Sequence, residues 1–510
     1  MACRVRLSIP SCVVNTQRSP AGRLRFRATL AAALIAALAA GVGGWLLAGA
    51  APDLSRKHVL ADGVPLDEVH PPDVPAGERR PGVVVAHGFA GSARLMAQFG
   101  DTLAARGYVV VLLDFSGHGA NTHPMRDDAV LQRDLDVAMT HLRGLPEVDP
   151  TRVAAVGHSM GATAVTRYAG SHPEVTATVA ISLPDSSEVP KDRPARLLLL
   201  VGALEFPGFR AAAEQAAASG GDRSAVVVPG VEHISILYAP RAHREMATWL
   251  DDSFGGPPVA RPMPAPMRRL SGAGLLVLSL LMGLYPVARL TLGGGPPRWP
   301  RLDPPQIGRA AAVAGVATLV ALLVAPIAPT TRLPLALGGF VVGFTTAAGV
   351  AMLAYQRWRG GAYPAPTPST RLRLAVATAV LVAYAAATIA IPVHLGLTHA
   401  VPVGARWWLL ASVWAGFAVL AYAAERIANG NSFGVLTVSA VAVIGLTVAA
   451  VLGLTSSFLL LVVPLLAILL LWQAIWSAIL QRFAAPAWLT ALVGSLVVAW
   501  PIATALPVVG

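Results

Sequence analysis

A chain of 510 residues in which 55% are hydrophobic and only 13% are charged cannot be one ordinary soluble domain, where about a quarter of the residues are charged. This composition predicts membrane-spanning segments. The net charge of +12 would also suit a nucleic-acid-binding protein, so the positions of the charges decide between the two classes.

Acidic and basic residues are segregated along the chain. Of the 27 acidic residues, 25 lie between Asp53 and Asp252, so residues 53–262 carry a net charge of −6. The basic excess lies in the hydrophobic parts, where we expect it in loops, and we predict no nucleic-acid partner. Cys3 and Cys12 precede the first apolar run, which excludes a disulfide framework, a Cys nucleophile and a Cys-based metal site from the acidic segment.

The N-terminus carries six Arg before an apolar run over residues 28–51, which is long enough to cross a bilayer. The sequence Ala48-Gly49-Ala50 resembles a secretory cleavage site. However, the run exceeds the length of about 7–15 residues that is usual in a signal peptide, so we favour an uncleaved first transmembrane helix. The preceding Arg residues predict a basic cytoplasmic N-terminus over 1–27 and place the following segment across the membrane.

Residues 53–254 alternate short β-branched runs with helix-length polar stretches, which predicts a mostly parallel sheet with helices on both faces. An opening hairpin is expected around Asp62-Gly63. The predicted strands are 83–86, 108–113, 153–156, 178–181, 196–201 and 225–228, and the predicted helices are 93–106, 129–143, 160–171 and 209–219.

A Gly/Pro-rich linker over 255–269 separates this domain from a membrane domain over 270–510. Eight apolar stretches there have bilayer-spanning length, and the least certain break between two of them is 455–457. They lie near 270–290, 308–328, 333–355, 374–396, 406–424, 432–454, 457–480 and 487–508.

The Arg residues between these stretches predict the orientation of the membrane domain. With residues 53–254 outside, ten Arg fall in inner loops and four in outer loops, which fits the positive-inside rule. Arg greatly outnumbers Lys, of which the chain has two, and this is typical of a GC-rich bacterial gene. We therefore expect a multi-pass protein of a bacterial plasma membrane, with residues 53–254 on the extracytoplasmic side.

The sequence Gly157-His158-Ser159-Met160-Gly161 follows a predicted strand and opens a predicted helix. In a G-x-S-x-G sequence the small residues permit a sharp turn from strand to helix that exposes the serine hydroxyl. An ordinary tight turn is the alternative, but it does not account for that placement. Ser159 is therefore the predicted nucleophile.

In this context, residues 58–254 resemble a serine-type α/β-hydrolase. The sequence His87-Gly88-Phe89 after a strand is similar to the oxyanion turn of that family, and Asp114 to Gly119 resembles its D-x-x-G-H-G loop. The resemblance implies that the backbone N–H groups of Phe89 and Met160 form an oxyanion hole.

The resemblance also implies the two partners of the nucleophile. Glu205 follows the strand 196–201 at the acid position of the family, and His233 follows the strand 225–228. A serine hydroxyl needs a neutral imidazole to remove its proton, and the imidazole needs a carboxylate that fixes its tautomer. The predicted triad is therefore Ser159, Glu205 and His233.

Alternatives exist for two of these roles. The family more often carries Asp than Glu, and Asp185, just after the strand 178–181, lies at an acid position that some members use. His243 is an alternative base, although its helical surroundings favour a solvated side chain. Three further histidines lie in turn motifs that the family uses structurally, so we predict no metal site there: His87, His118 and His158.

About fourteen residues separate the strands 178–181 and 196–201, so the expected fold is a nearly capless α/β-hydrolase domain fused to an all-α multi-span transmembrane bundle. We expect a membrane-anchored serine hydrolase that cleaves ester or thioester bonds through an acyl-enzyme, without a metal or organic cofactor. Its expected partners are an acyl or lipid-like substrate and the lipid bilayer.

Two other functions remain open on the sequence. The first is that the bundle forms a transporter or membrane scaffold, with the hydrolase-like domain as an accessory or sensor module. Polar residues such as His394 and Glu425, however, fall at the ends of predicted spans, which favours an anchor or scaffold. The third hypothesis is an acyltransferase that passes its acyl group to a cell-envelope acceptor.

Overall fold

A computed structural model of the protein describes residues 20–51, 53–72, 74–75, 77–259, 261–293, 302–360 and 371–510. Most of the predicted cytoplasmic N-terminus, with Cys3 and Cys12, lies outside the described residues. Arg298 and Arg301 of a predicted inner loop also lie outside them.

Eight strands form one sheet in the order β1-β2-β4-β3-β5-β6-β7-β8. The sheet is parallel except for β2, which pairs antiparallel with both β1 and β4. All six predicted strands are present, preceded by the two strands of the predicted hairpin. The strands are β1 Ser55–Ala61, β2 Val64–His70, β3 Arg80–Ala86, β4 Val109–Leu113, β5 Val148–His158, β6 Val175–Ile181, β7 Arg196–Gly202 and β8 Asp222–Val228.

Helices cover both faces of this sheet, because successive side chains of the central strands point to opposite sides. On β3, Val83 and Val85 join one buried cluster that includes Phe99, whereas Val84 joins another that includes Leu135. The predicted α/β-hydrolase fold is thus confirmed. The helices of this domain are α2 Ala97–Ala105, α3 Asp128–Gly144, α4 Met160–Ser171, α5 Pro207–Ala218 and α6 Pro240–Ser253, with 3-10 turns at Ala93–Met96 and Ser235–Tyr238.

The expectation that His243 is solvated is wrong. His243 lies on the buried face of α6, where its ring stacks on that of Phe99 with the centroids 4.1 Å apart. Its Nδ1 is 2.8 Å from Thr102 Oγ1 and its Nε2 is 2.9 Å from the carbonyl oxygen of Leu237. Burial lowers the pKa of His243 to about 4, with the bond to Leu237 opposing the shift.

We predict that His243 makes the domain sensitive to acid. Its pKa in the folded state lies below the ordinary value of 6.5, so its contribution to stability is complete above about pH 6.5 and is lost as the pH falls toward 4. At about 1.4 kcal/mol per pKa unit, the loss is at most about 3 kcal/mol. In thermal unfolding from about pH 8 to pH 4, His243→Gln should therefore show a smaller fall in Tm than wild type.

The matched control is His123→Gln, because His123 is an exposed histidine of the same domain. Its pH profile should follow that of the wild type. If His243→Gln and wild type lose the same Tm over this range, His243 does not titrate on unfolding as predicted.

Outside the α/β domain, the described residues are mostly helical. Among the described residues, nine helices are long and apolar enough to cross a membrane. The uncertain break at 455–457 is present as a turn between two of them. These helices are α1 Pro20–Ala48, α7 Met267–Leu292, α8 Pro304–Val324, α9 Gly338–Trp358, α10 Arg371–Gly396, α11 Arg406–Ala428, α12 Ser432–Val451, α13 Leu459–Arg482 and α14 Ala487–Ala505.

The α/β domain is inserted between two helices that pack together, α1 before it and α7 after it. Gly43 of α1 and Gly272 of α7 permit this close approach, because a Cβ on Gly43 would lie 2.9 Å from the Gly272 carbonyl oxygen. Both chain connections to the domain are therefore held at one end of the helical bundle.

Candidate active site

Ser159 lies in the turn between β5 and α4. Its φ of 53° and ψ of −117° are uncommon for a residue with a side chain. A Cβ on Gly157 would lie 2.2 Å from the Gly161 carbonyl oxygen, and one on Gly161 would lie 2.5 Å from that of His87. The two glycines of the motif are therefore required by the close approach of backbone atoms, as the sequence pattern suggests.

Gly157→Ala is expected to displace this turn and to lower the reactivity of Ser159 at least about tenfold, because the added methyl group overlaps backbone atoms. The measurement is the rate of labelling by a fluorophosphonate, compared with Gly144→Ala. Gly144 ends α3 with no atom within 4 Å of the position of a Cβ, so that variant should label normally. Normal labelling of Gly157→Ala would show that the turn tolerates a side chain there.

His233 lies between Ser159 and Glu205. Its Nε2 is 3.1 Å from Ser159 Oγ, and its Nδ1 is 2.9 Å from Glu205 Oε2. An ionised carboxylate only accepts hydrogen bonds, so Nδ1 carries the proton and Nε2 is left to accept from the serine hydroxyl. The structure thus brings together the three residues of the predicted triad.

The carboxylate of Glu205 is buried, with 1% of the side chain exposed, and has two further donors. Its Oε1 accepts from the Gly202 backbone N–H and from Ser182 Oγ, both at 2.7 Å. These bonds orient the carboxylate so that Oε2 faces His233. The sequence did not predict that Ser182 binds Glu205. The only indication in the sequence is that Ser182 directly follows β6.

Asp185, the alternative acid, is not bonded to His233. Its carboxylate is exposed and accepts from the backbone N–H and hydroxyl of Ser187, at 2.8 and 2.7 Å. These two hydrogen bonds lower the pKa of Asp185. The contacts of Asp185 are those of a surface turn.

The predicted oxyanion turn follows β3 and passes close to Ser159. A Cβ on Gly88 would lie 3.0 Å from the Cβ of Ser159. Met160 is the first residue of α4, and the first N–H groups of a helix have no acceptor within it. The structure therefore places the Phe89 turn and the Met160 amide beside the serine, on two different elements.

His87 holds this turn in place. Its Nδ1 donates to the Gly88 carbonyl oxygen at 2.8 Å, and its Nε2 accepts from the Phe115 backbone N–H at 3.1 Å. Burial lowers the pKa of His87 to about 4, so the ring is neutral and can accept at Nε2. His87 therefore links the loops after β3 and β4.

Asp114 makes a second link between these loops. Its carboxylate accepts from the backbone N–H groups of Ala93 and Ala120, each at 2.7 Å. Burial raises the pKa of Asp114 to about 6, against the effect of these two donors. The D-x-x-G-H-G loop therefore stabilises the turn that carries Phe89.

His158 helps to hold His233 in position. Its Nε2 donates to the His233 carbonyl oxygen at 3.0 Å, and the two ring centroids are 4.8 Å apart. Burial, with the nearby His233, lowers the pKa of His158 well below its ordinary range. The neutral His158 ring adds no positive charge beside the imidazole.

No group of three or more His, Cys, Asp or Glu side chains suited to a metal ion occurs in the part of the chain that the structure describes. A groove of about 810 Å³ lies elsewhere, between α10, α11 and α14. Its walls are Ala, Val and Leu side chains with one Thr and four Trp: Trp407, Trp414, Trp488 and Trp500. This lining carries no ionisable side chain.

Comparisons with known proteins place the α/β domain among hydrolases. Residues 77–217 match the family described as serine aminopeptidase, S33. Two uncharacterised proteins of Mycobacterium tuberculosis, from strains CDC 1551 and H37Rv, are each 30% identical to this chain over 132 residues. The match covers 26% of this chain and 42% of each relative, so the chain spans less than half the length of these curated relatives.

Three solved structures align with part of the chain at low sequence identity. A hypothetical protein from Pseudomonas aeruginosa is 15% identical, with a TM-score of 0.36, and the alignment covers 39% of this chain and 94% of that one. A dienelactone hydrolase from Anabaena variabilis is 21% identical (TM-score 0.33; 40% and 98% covered). A membrane phospholipase A is 16% identical (TM-score 0.34; 46% and 95% covered). The chain contains an α/β-hydrolase domain, related in sequence to the serine aminopeptidase S33 family over residues 77–217, together with a region of long apolar helices.

Proposed function

We propose that the protein is a membrane-anchored serine hydrolase that cleaves ester or thioester bonds of acyl substrates. The observation that carries this proposal is the position of His233 between Ser159 Oγ and the buried Glu205 carboxylate, at 3.1 and 2.9 Å. A neutral imidazole in that position activates a serine hydroxyl.

In the first step Ser159 Oγ attacks the carbonyl carbon of the substrate, and its proton passes to His233 Nε2. The carbonyl oxygen becomes an oxyanion, for which the Phe89 and Met160 backbone N–H groups are the proposed donors. The bond to the leaving alcohol or thiol then breaks, and that group takes the proton from Nε2. Ser159 is left as an acyl ester.

In the second step a water molecule attacks the acyl-enzyme and gives its proton to His233 Nε2. The acyl–Oγ bond breaks, Ser159 Oγ recovers the proton, and the carboxylic acid leaves. Glu205 keeps the Nδ1–H of His233 oriented throughout and stabilises the imidazolium of each step. An alcohol or amine in place of water would make the same residues an acyltransferase.

The helical region suits an anchor in a bacterial plasma membrane, with the α/β domain on the extracytoplasmic side. The distribution of Arg supports this orientation. The close packing of α1 against α7 supports the proposal that α1 stays in the mature protein and is not a signal peptide that is cleaved off. The bilayer and an acyl substrate are the proposed partners.

The transporter alternative has one specific observation in its favour, a carboxylate buried within the bundle. Glu425 of α11 is 5% exposed and accepts hydrogen bonds from Ser477 and Gln481 of α13. Both of its oxygens thus have donors, so Glu425 links two helices and its environment is that of a packing contact. We therefore prefer the hydrolase function to the transporter function.

The test of the proposal is covalent labelling of the detergent-solubilised full-length protein by a fluorophosphonate, which reports an activated serine without knowledge of the substrate. Wild type should be labelled and Ser159→Ala should not. Absence of labelling in folded wild type would overturn the proposal and favour a catalytically silent accessory domain.

A further inference from the structure

The edge of the sheet at which Ser159 lies is turned toward the end of the helical bundle. In the loop after β3, Ser92 Oγ is 2.8 Å from Thr398 Oγ1, in the connection from α10 to α11. In the loop after β4, the Gly117 carbonyl oxygen accepts from Arg406 Nη2 at 2.6 Å. Ligands of parallel sheets bind at the carboxyl ends of the strands, so the candidate site adjoins the bundle.

One contact joins the oxyanion turn itself to the helices. The ring of Phe89 stacks on that of Phe458, with the centroids 5.5 Å apart and the planes at 30°. Phe458 lies in the turn between α12 and α13, one residue before α13 begins. Phe89 and Ala90 also pack against the hydrophobic core of the helical region. The wall of the site on this side is therefore formed by the membrane part of the chain.

Exposed apolar side chains also stand next to two of the triad residues in the sequence. Leu204 and Phe206 flank Glu205, and Ile234 follows His233; they are 67%, 58% and 48% exposed. Phe458 itself is 52% exposed. A group of exposed large apolar side chains around a polar centre marks a surface that contacts an apolar partner.

We infer that the substrate is a long-chain, amphiphilic acyl ester taken from the bilayer, and that Phe458 contacts its acyl chain; this rests on the proposed function. α13 begins directly after Phe458 and has the length and composition of a membrane span, so Phe458 lies at the membrane surface. The apolar occupant available at that depth is the acyl chain of a lipid. The ester group then lies within reach of Ser159, and the apolar chain lies between the α12–α13 turn and the loops after β7 and β8.

The experiment compares the labelling rates of two fluorophosphonates, one with an ethyl chain and one with a tetradecyl chain, on the full-length protein in the same detergent micelles. Wild type should react faster with the tetradecyl probe. Phe458→Ala should lower the tetradecyl rate about tenfold and leave the ethyl rate within about twofold, because only the long chain reaches Phe458. Loss of the stacking of Phe458 on Phe89 would instead lower both rates. The matched control is Phe433→Ala, at the opposite end of α12, where the side chain is 39% exposed.

Three outcomes decide between the two proposals. Absence of labelling by either probe in wild type contradicts the proposed function. Labelling that has no preference for the long chain, or a preference unchanged in Phe458→Ala, leaves the serine hydrolase intact and overturns the lipid substrate. If Phe458→Ala lowers both rates equally, the role of Phe458 is structural. The inference then stands only if Leu204→Ser, at the exposed residue next to Glu205, lowers the tetradecyl rate alone.

Discussion

Replacement of Ser159 by Ala is expected to abolish fluorophosphonate labelling and to lower ester hydrolysis at least about a thousandfold. The hydroxyl is the group that receives the acyl or phosphonyl group, and in the described part of the chain it is the hydroxyl that lies within hydrogen-bonding distance of the His233 ring. The measurements are labelling intensity and turnover of 4-nitrophenyl butyrate by the purified full-length protein.

The control for this variant is Ser171→Ala at the other end of α4. The Ser171 hydroxyl is exposed and bonds only weakly to the Arg167 carbonyl oxygen, at 3.4 Å. It should label and turn over substrate at the wild-type rate. Since Ser159→Ala removes one oxygen atom and creates no large cavity, its Tm should remain within a few degrees of wild type. Retained labelling of Ser159→Ala would place the nucleophile elsewhere.

The sequence predicted the elements of the α/β domain well because each has a local signal. The apolar runs that became β3 to β8 are bounded by turns, and the Asp62-Gly63 hairpin is present with φ values of 43° and 81°. The glycines of the Ser159 turn could also be predicted from the sequence, because a close approach of backbone atoms leaves no room for a side chain.

What could not be predicted depends on contacts between distant parts of the chain. His243 looked solvated because its neighbours in sequence are polar, yet the face of α6 that carries it packs on Phe99 of α2. The bond from Ser182 to Glu205 and the stacking of Phe89 on Phe458 join residues 23 and more than 300 positions apart. No periodicity or motif encodes such pairs, so only the folded chain reveals them.

Glu205→Gln is expected to lower turnover about a thousandfold to ten-thousandfold, whereas Asp185→Asn should leave it within about twofold. Gln keeps an oxygen that can accept from Gly202 N–H and Ser182 Oγ, which leaves its NH₂ group facing His233 Nδ1. Two donors cannot pair, so the ring takes the tautomer with the proton at Nε2, and that nitrogen can no longer accept from Ser159. The loss should fall on turnover and on labelling alike.

The pair of variants distinguishes the two acid positions because their environments differ. Glu205 is buried against His233, while Asp185 is exposed and bonded to its own turn through Ser187. Each substitution changes one carboxylate to the amide of equal size, so neither creates a cavity, and Tm measured in parallel separates catalytic loss from unfolding. Activity retained in Glu205→Gln and lost in Asp185→Asn would reverse the assignment, and would require His233 to leave the position in which Nδ1 faces Glu205.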